Sequence, residues 1–207
     1  MAAISRRRHR DADAGGVVTS TLDIEAELRE ILARRAIADA GFRYTRGLDR
    51  IDRAMLLSAF HEDAFVDCGL MQGGPGAFAD FALGFLGDMH RTHHQLGQQH
   101  VAMQLPSHAS GETYFQAYHD ITDEQGQKRD LFIAGRYVDE YTSRDGQWKI
   151  AARTLITDWV TDTPGNRAFF EDNPEAPSGQ RDGRDFSDRR DWPQTVRATL
   201  TRQRMNP

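Results

Sequence analysis

Gly135-Arg-Tyr-Val-Asp-Glu-Tyr-Thr-Ser143-Arg-Asp145-Gly146-Gln-Trp148-Lys-Ile150 decides how the rest of the chain is read. The aromatic and β-branched residues alternate with polar ones on both sides of an Asp-Gly pair. That dipeptide supplies the two positive backbone angles of a tight hairpin, so Asp130 to Thr142 and Gln147 to Val160 are predicted as paired antiparallel strands. Upstream, Asp123-Glu-Gln-Gly126-Gln is a second hairpin turn. It follows a strand from Glu112 to Thr122 whose Thr113, Phe115, Ala117 and His119 share one face. Pro106 to Gly111 turns the chain out of a still earlier strand, His90 to Leu105.

The segments before the strands have helical spacing. Thr21 followed by an acidic first turn predicts a helix start, and Leu28, Ile31, Leu32, Ala36, Phe42 and Arg43 carry the period to an end near Gly47. A short turn bearing Asp49 leads to Asp52, which caps a second helix with Met55, Leu56, Ala59 and Phe60 on its apolar face. His61-Glu-Asp reads as a polar stop, Ala64 to Cys68 as a short strand, and Gly73-Gly-Pro-Gly76 as the break before a third helix, Ala77 to about Met89. Helices first and a meander afterwards imply an α+β domain with the helices against one face of a curved sheet. Residues 1–20, with Arg6, Arg7, Arg8 and Arg10 but no apolar run behind them, read as a disordered tail. Residues 21–163 are the domain. Residues 164–207, rich in Arg, Asp, Pro and Gly, are a C-terminal extension that is irregular or draped over a neighbour, with Phe186 and Trp192 as its anchors.

The chain has 207 residues, 39% of them hydrophobic and 28% charged, and a net charge of −5, a balance that points to neither nucleic acid nor an anionic membrane. One cysteine, Cys68, cannot make an internal disulfide, which favours a reducing compartment, with cytoplasm as the default. Chemistry is concentrated in His90-Arg-Thr-His93-His94-Gln-Leu-Gly97-Gln-Gln-His100. Strand alternation predicts one face carrying His94, Leu96, Gln98 and His100 and the other carrying His93, Gln95 and Gln99. Imidazole titrates nearest neutrality and can move protons without a cofactor. A metal site is not expected: His90, His94 and His100 would spread over about 33 Å of strand at about 3.3 Å per residue. Gly73-Gly-Pro-Gly76 lacks the Lys-Ser/Thr of a phosphate loop, so no nucleotide or other cofactor is expected either.

With three helices, a meander, and Tyr-x-Asp-x-Tyr-x-x-x-Asp-Gly-x-Trp over residues 137–148, residues 24–159 resemble the SnoaL-like branch of the nuclear-transport-factor-2-like superfamily. The resemblance implies a cone-shaped barrel: a strongly bent antiparallel sheet packed on three N-terminal helices around a deep, largely apolar pocket. The superfamily hosts several chemistries and plain binding domains, so fold alone does not choose among them. Its scytalone dehydratases and hexachlorocyclohexane dehydrochlorinases use an Asp-His dyad, and Asp49 and His94 fall on those places, with His119 at the second pocket histidine of the dehydratases. The dehydratases' carbonyl-polarising tyrosines are replaced here by Leu48 and Cys68, so their substrate is not carried over.

The resemblance thus implies a cofactor-independent lyase with Asp49, His94 and His119 as catalytic residues. Tyr44, Leu96, Phe115, Tyr137 and Arg153 are the residues expected to touch a small hydrophobic, aromatic or polycyclic substrate. An isomerase with the same dyad, or a non-catalytic binding domain such as the small subunit of a ring-hydroxylating dioxygenase, is the alternative. The outward strand rows, including Tyr114, Tyr118, Val138 and either Leu155 or Ile156, are too apolar for water, so a homo-oligomer, trimer or dimer, is expected.

Overall fold

The computed structural model describes residues 23–197. The expected start at Thr21 and the N-terminal tail lie outside that range, as do residues 198–207. Helix α1 (Ile24–Arg50) is capped by Asp23, whose carboxylate accepts the Ala26 N–H at 3.1 Å. It runs three residues past the predicted end, because Gly47 is a contact rather than a stop. A Cβ there would lie 2.6 Å from the Leu56 nitrogen of α2 (Arg53–Ser58). The true terminator is Ile51, left-handed at φ 55, whose N–H returns to the carbonyls of Gly47 and Leu48. Asp49 therefore sits in the last turn of a helix and not in a loop.

Strand β1 (Phe60–Asp67) takes in the His61-Glu-Asp segment expected to be a stop. His61 is buried and its Nε2 is 2.9 Å from the Thr142 carbonyl, while Glu62 and Asp63 face outward, which is how a polar triplet fits a strand. After β2 (Gln72–Gly73), helix α3 (Pro75–Gly87) begins at Pro75, whose ring suits a first helical position. Strands β3 (Arg91–Leu105), β4 (His108–Thr122), β5 (Lys128–Arg144) and β6 (Gln147–Pro164) form the predicted meander. Asp145 and Gly146 have φ of 52° and 75°, as the hairpin requires.

The sheet order is β2-β1-β6-β5-β4-β3. In one respect the architecture departs from the expected antiparallel barrel. The long connection from β1 through α3, β3, β4 and β5 brings β6 alongside β1 in the same direction, so the sheet is mixed and it stays open, with β2 and β3 at its edges. Two of its register irregularities lie beside the strands' inner residues. Between Leu96↔Phe115 and Gln99↔Thr113, Gly97 and Gln98 both stand opposite Tyr114. Between Ala134 and Gly135 the register against β6 shifts, and there β6 comes so close that a Cβ on Gly135 would lie 2.0 Å from the Ile156 carbonyl oxygen.

The core fills the space between the helices and the sheet, with Ile37, Tyr44, Leu56, Phe60, Phe78, Tyr137 and Ile150 buried together. Its rings pack edge-on and stacked: Tyr44 lies 5.8 Å from both Phe60 and Phe78, and Phe115 lies 4.4 Å from Tyr137. No helix among the described residues is long and apolar enough to cross a membrane.

Beyond Pro164 the described part of the extension includes the short helices α4 (Ala168–Asp172) and α5 (Phe186–Arg189), without a buried apolar residue in either. Phe186 and Trp192 pack edge-on against each other at 4.7 Å and stay half exposed, so they do not anchor it. Charged groups do. Arg167 Nε donates to Asp120 at 2.7 Å, Arg46 pairs with Asp188, and Arg50 pairs with buried Asp185 at 3.2 Å. Over its described residues the segment lies along its own domain.

Candidate active site

A cavity of about 450 Å³ opens between α1, α3 and the inner face of β4, β5 and β6. Its walls are mostly carbon: Leu48, Phe78, Leu86, Phe115 and Leu155 among them. Phe81 and Phe85, parallel at 6.4 Å, and Leu70 line it yet remain exposed, which puts them at the mouth. The polar lining is sparse, and its two imidazoles belong to His94 and His119.

Forty-five residues apart in sequence, Asp49 and His94 meet at the closed side. Asp49 Oδ1 is 2.8 Å from His94 Nδ1, and its Oδ2 accepts the backbone N–H of His94 at 2.9 Å. Because a carboxylate only accepts, Nδ1 carries the proton and the neutral ring presents an unprotonated Nε2. Burial alone would raise the Asp49 pKa. The bond from the His94 ring, its charge, the backbone N–H and the Thr92 hydroxyl outweigh that and hold the carboxyl below its usual range.

His119 is on β4, its ring edge-on to His94 at 5.5 Å. Its Nδ1 faces the Leu131 carbonyl at 3.3 Å, so Nδ1 again donates and Nε2 is again a lone-pair acceptor. Burial, reinforced by the neighbouring His94, lowers its pKa to about 4, so the ring stays neutral at neutral pH. It is suited to accept a hydrogen bond and not to donate a proton from this nitrogen.

Of the other expected contact residues, Tyr44, Phe115 and Tyr137 line the cavity. Burial raises the pKa of both tyrosines, keeping them protonated. Leu96 does not reach the cavity; it packs onto α1, with Cδ1 3.1 Å from where a Gly41 Cβ would be. Arg153 does not reach it either. It is 2% exposed, forks onto Asp139 at 2.7 and 2.8 Å, and is sandwiched by the rings of Tyr44 and Tyr137 at 4.1 and 4.2 Å from its guanidinium carbon. Asp139 also accepts the Tyr141 hydroxyl at 2.6 Å, and this pairing lifts the Arg153 pKa against its burial. The guanidinium is thus committed to the wall behind the tyrosines.

The histidine row is also corrected. After the bulge at Gly97 and Gln98 the strand's parity inverts: Gln99, Val101 and Met103 turn inward and His100 is exposed, so Gln98 and His100 do not share the face of His94. His90 is likewise elsewhere, 3.1 Å from the Thr122 hydroxyl. Leu48 and Cys68, which stand where the resemblance has the dehydratases' tyrosines, line the cavity, and so do residues that the sequence did not place there: Leu155, Thr157 and the α3 phenylalanines. The signal for the last was present, since Phe78, Phe81 and Phe85 recur at helical spacing; it reads as core unless one knows that part of that face lines a void.

A family model described as a SnoaL-like domain matches residues 29–154. The chain belongs to the SnoaL-like family. Among solved structures this SnoaL-like chain is similar to the hexachlorocyclohexane dehydrochlorinase LinA type 2, with TM-score 0.62, 25% identity, and 68% of this chain and 95% of that chain covered. It is similar as well to a protein from Novosphingobium aromaticivorans provisionally named a scytalone dehydratase, with TM-score 0.59, 25% identity and coverages of 68% and 93%. A LinA-type3 dehydrochlorinase from Novosphingobium barchaimii, 22% identical with TM-score 0.60, shares the fold. No curated protein matches the chain.

Proposed function

We propose that this protein is a cofactor-independent lyase that removes water or another small leaving group from a small hydrophobic, ring-containing molecule, with His94 as the base and Asp49 as its partner. One observation carries the reading: His94 is locked with Nδ1–H on a carboxylate while Nε2 faces an apolar cavity. In such a cavity Nε2 takes a proton from a carbon next to the leaving group. The C–H electrons become the new double bond, the carbon–leaving-group bond breaks, and Asp49 stabilises the imidazolium formed. For a hydroxyl leaving group, His94 returns the proton to the departing oxygen as water, which restores the neutral ring. A positioned base of this kind is worth about 10²- to 10⁴-fold in rate. His119, neutral and with Nε2 as acceptor, would hold a substrate hydroxyl; Tyr44 and Tyr137 would contribute ring surface and Phe115 stacking area.

The solved neighbours named a dehydrochlorinase and a dehydratase support an elimination. The apolar outward residues Tyr114 and Val138, each about two-fifths exposed, support a homo-oligomer. Leu155 turns into the cavity, leaving Ile156 as the outward member of that pair.

The test is turnover by the purified protein on a panel of hexachlorocyclohexane and hydroxylated hydroaromatic ketones, read by chloride release and product mass. The expected result is loss of water or of hydrogen chloride, abolished in His94→Ala with the fold retained. Activity of His94→Ala within tenfold of wild type would overturn the assignment, and a product of unchanged mass would show isomerisation by the same base.

A further inference from the structure

The family model stops at residue 154, and neighbours that fill 93 to 95% of their own length cover only 68% of this chain. The extension is therefore an addition to the domain. Its path is specific. It approaches the last turn of α1 and the first residues of β3, where a second cavity of about 340 Å³ is lined by Asp49, Arg50, Thr92, His93, Gly179 and Arg181, among others. Asp49 stands between the two spaces, since its partner His94 lines the first and its own carboxylate borders the second.

Arg181 is the part of the extension that enters. Its Nη1 donates to the Met89 carbonyl at 2.9 Å and lies 3.5 Å from that of Gly87, and its Nη2 donates to the Thr92 hydroxyl at 3.4 Å. These bonds fix the guanidinium, and no carboxylate among the described residues is paired with it. Thr92 borders the same cavity as Asp49 and is among the groups that hold its carboxyl low, so Arg181, Thr92, Asp49 and His94 stand in succession. Burial lowers the Arg181 pKa and the nearby Asp49 charge works against that fall.

The loop is built to hold Arg181 there. Asp185, buried, accepts the N–H groups of Gln180 and Ser187, both at 2.9 Å, and pairs with Arg50. Arg50 also donates to the Gln180 carbonyl at 3.3 Å. The other charged or titratable groups around the pair are committed or turned away. Arg50 is taken by Asp185, and Arg91 by Asp120 and the Phe170 ring. His93 is exposed, His90 bonds Thr122, His119 faces the first cavity, and Tyr118 donates to Asp130.

We propose that Arg181 is a positioning residue for the Asp49–His94 pair, delivered by the C-terminal extension, which orients the Asp49 carboxylate by way of Thr92 and adds its positive charge to those beside it. The role in turnover rests on the lyase reading; the effect on Asp49 does not. The test follows the Asp49 carboxyl by carbon NMR during pH titration and the His94 Nδ1–H proton resonance, in wild type, Arg181→Gln, Arg181→Lys and Thr92→Val. Arg184→Gln, whose residue pairs with exposed Asp182, serves as the loop control.

Removing a charge that borders the same cavity as this largely buried carboxylate should raise its titration midpoint by on the order of half a pH unit. Arg181→Gln is expected to do so and to shift or broaden the Nδ1–H resonance, Arg181→Lys to restore most of the midpoint, and Arg184→Gln to change neither. Thr92→Val should alter the resonance with less effect on the midpoint. On a substrate found as above, Arg181→Gln should lower kcat on the order of tenfold at constant KM, less than the about 10²-fold cost of a full ångström of misplacement. An Asp49 midpoint and Nδ1–H resonance unmoved in Arg181→Gln would overturn the proposal, and so would a shift equalled by Arg184→Gln. Movement of both signals in a protein that turns over nothing would uphold the positioning role and sink the lyase reading instead.

Discussion

Replacing Arg153 by Met separates a wall residue from a substrate-binding one. Asp139, 1% exposed, would keep only the Tyr141 hydroxyl after losing two charge-assisted bonds at 2.7 and 2.8 Å. Removing one partner of a buried pair typically costs about 3 to 5 kcal/mol, because the other charge stays behind uncompensated. Loss of the guanidinium between two rings adds to this, while the methionine side chain recovers some packing. We expect about 4 kcal/mol, a large part of the roughly 5 to 15 kcal/mol that holds a domain folded. That corresponds to a fall in Tm on the order of 10 °C. Urea unfolding of Arg153→Met and Asp139→Leu, singly and together, measures it. The double variant should be more stable than the sum of the single losses implies, since it leaves no orphaned charge. A loss under about 1 kcal/mol in Arg153→Met, accompanied by a raised KM, would refute the reasoning and return Arg153 to the cavity.

The stability of the protein should also depend on pH through His119. The folded state holds this ring neutral down to about 4, whereas an unfolded histidine takes up its proton near pH 6.5. Between those values the unfolded state binds more protons, so stability falls as pH is lowered through that window, by about 3 kcal/mol in all. His119→Phe should lose correspondingly less between about pH 7 and about pH 4.5, and equal losses in the two proteins would contradict the assignment. At the sheet bulge, Gly135→Ala would set a methyl 2.0 Å from the Ile156 oxygen and should cost about 3 kcal/mol or more. By contrast, Gly84→Ala in α3 meets nothing within 4 Å and should stabilise by about 0.5 to 1 kcal/mol, which thermal melts of the two variants would check.

What could be read beforehand was whatever local chemistry determines. Asp145-Gly146 specifies its hairpin, and Thr113, Phe115, Ala117 and His119 alternate onto the buried face as predicted. The meeting of Asp49 with His94 came from the resemblance, since nothing within either segment points to the other. Three things stayed hidden, each for a physical reason. Both registers of Gln95 to His100 are equally polar, so alternation carries no trace of the bulge that turns His100 outward. Arg153 lies on an inward strand row as expected, but whether it meets a ligand or a carboxylate depends on Asp139 of the adjoining strand. The extension reads as held by Phe186 and Trp192, because composition shows which residues are apolar but not which charges meet; individual pairs such as Arg46–Asp188 and Arg50–Asp185 dock it instead.

The position of β3 at the end of the sheet gives Asp49 a second duty. A fifteen-residue terminal strand offers unpaired N–H and C=O groups to any other extended chain, a standing invitation to strand addition and aggregation. Here two of those groups are met from within the same molecule: Asp49 Oδ2 takes the His94 N–H, and Arg34 Nη1 donates to the Val101 carbonyl at 2.8 Å. The carboxylate that orients an imidazole also occupies a site at which a foreign strand would begin to zip. Substitutions that remove it would then cost colloidal solubility as well as chemistry, and a screen scoring only soluble yield would select for this aspartate without ever supplying a substrate.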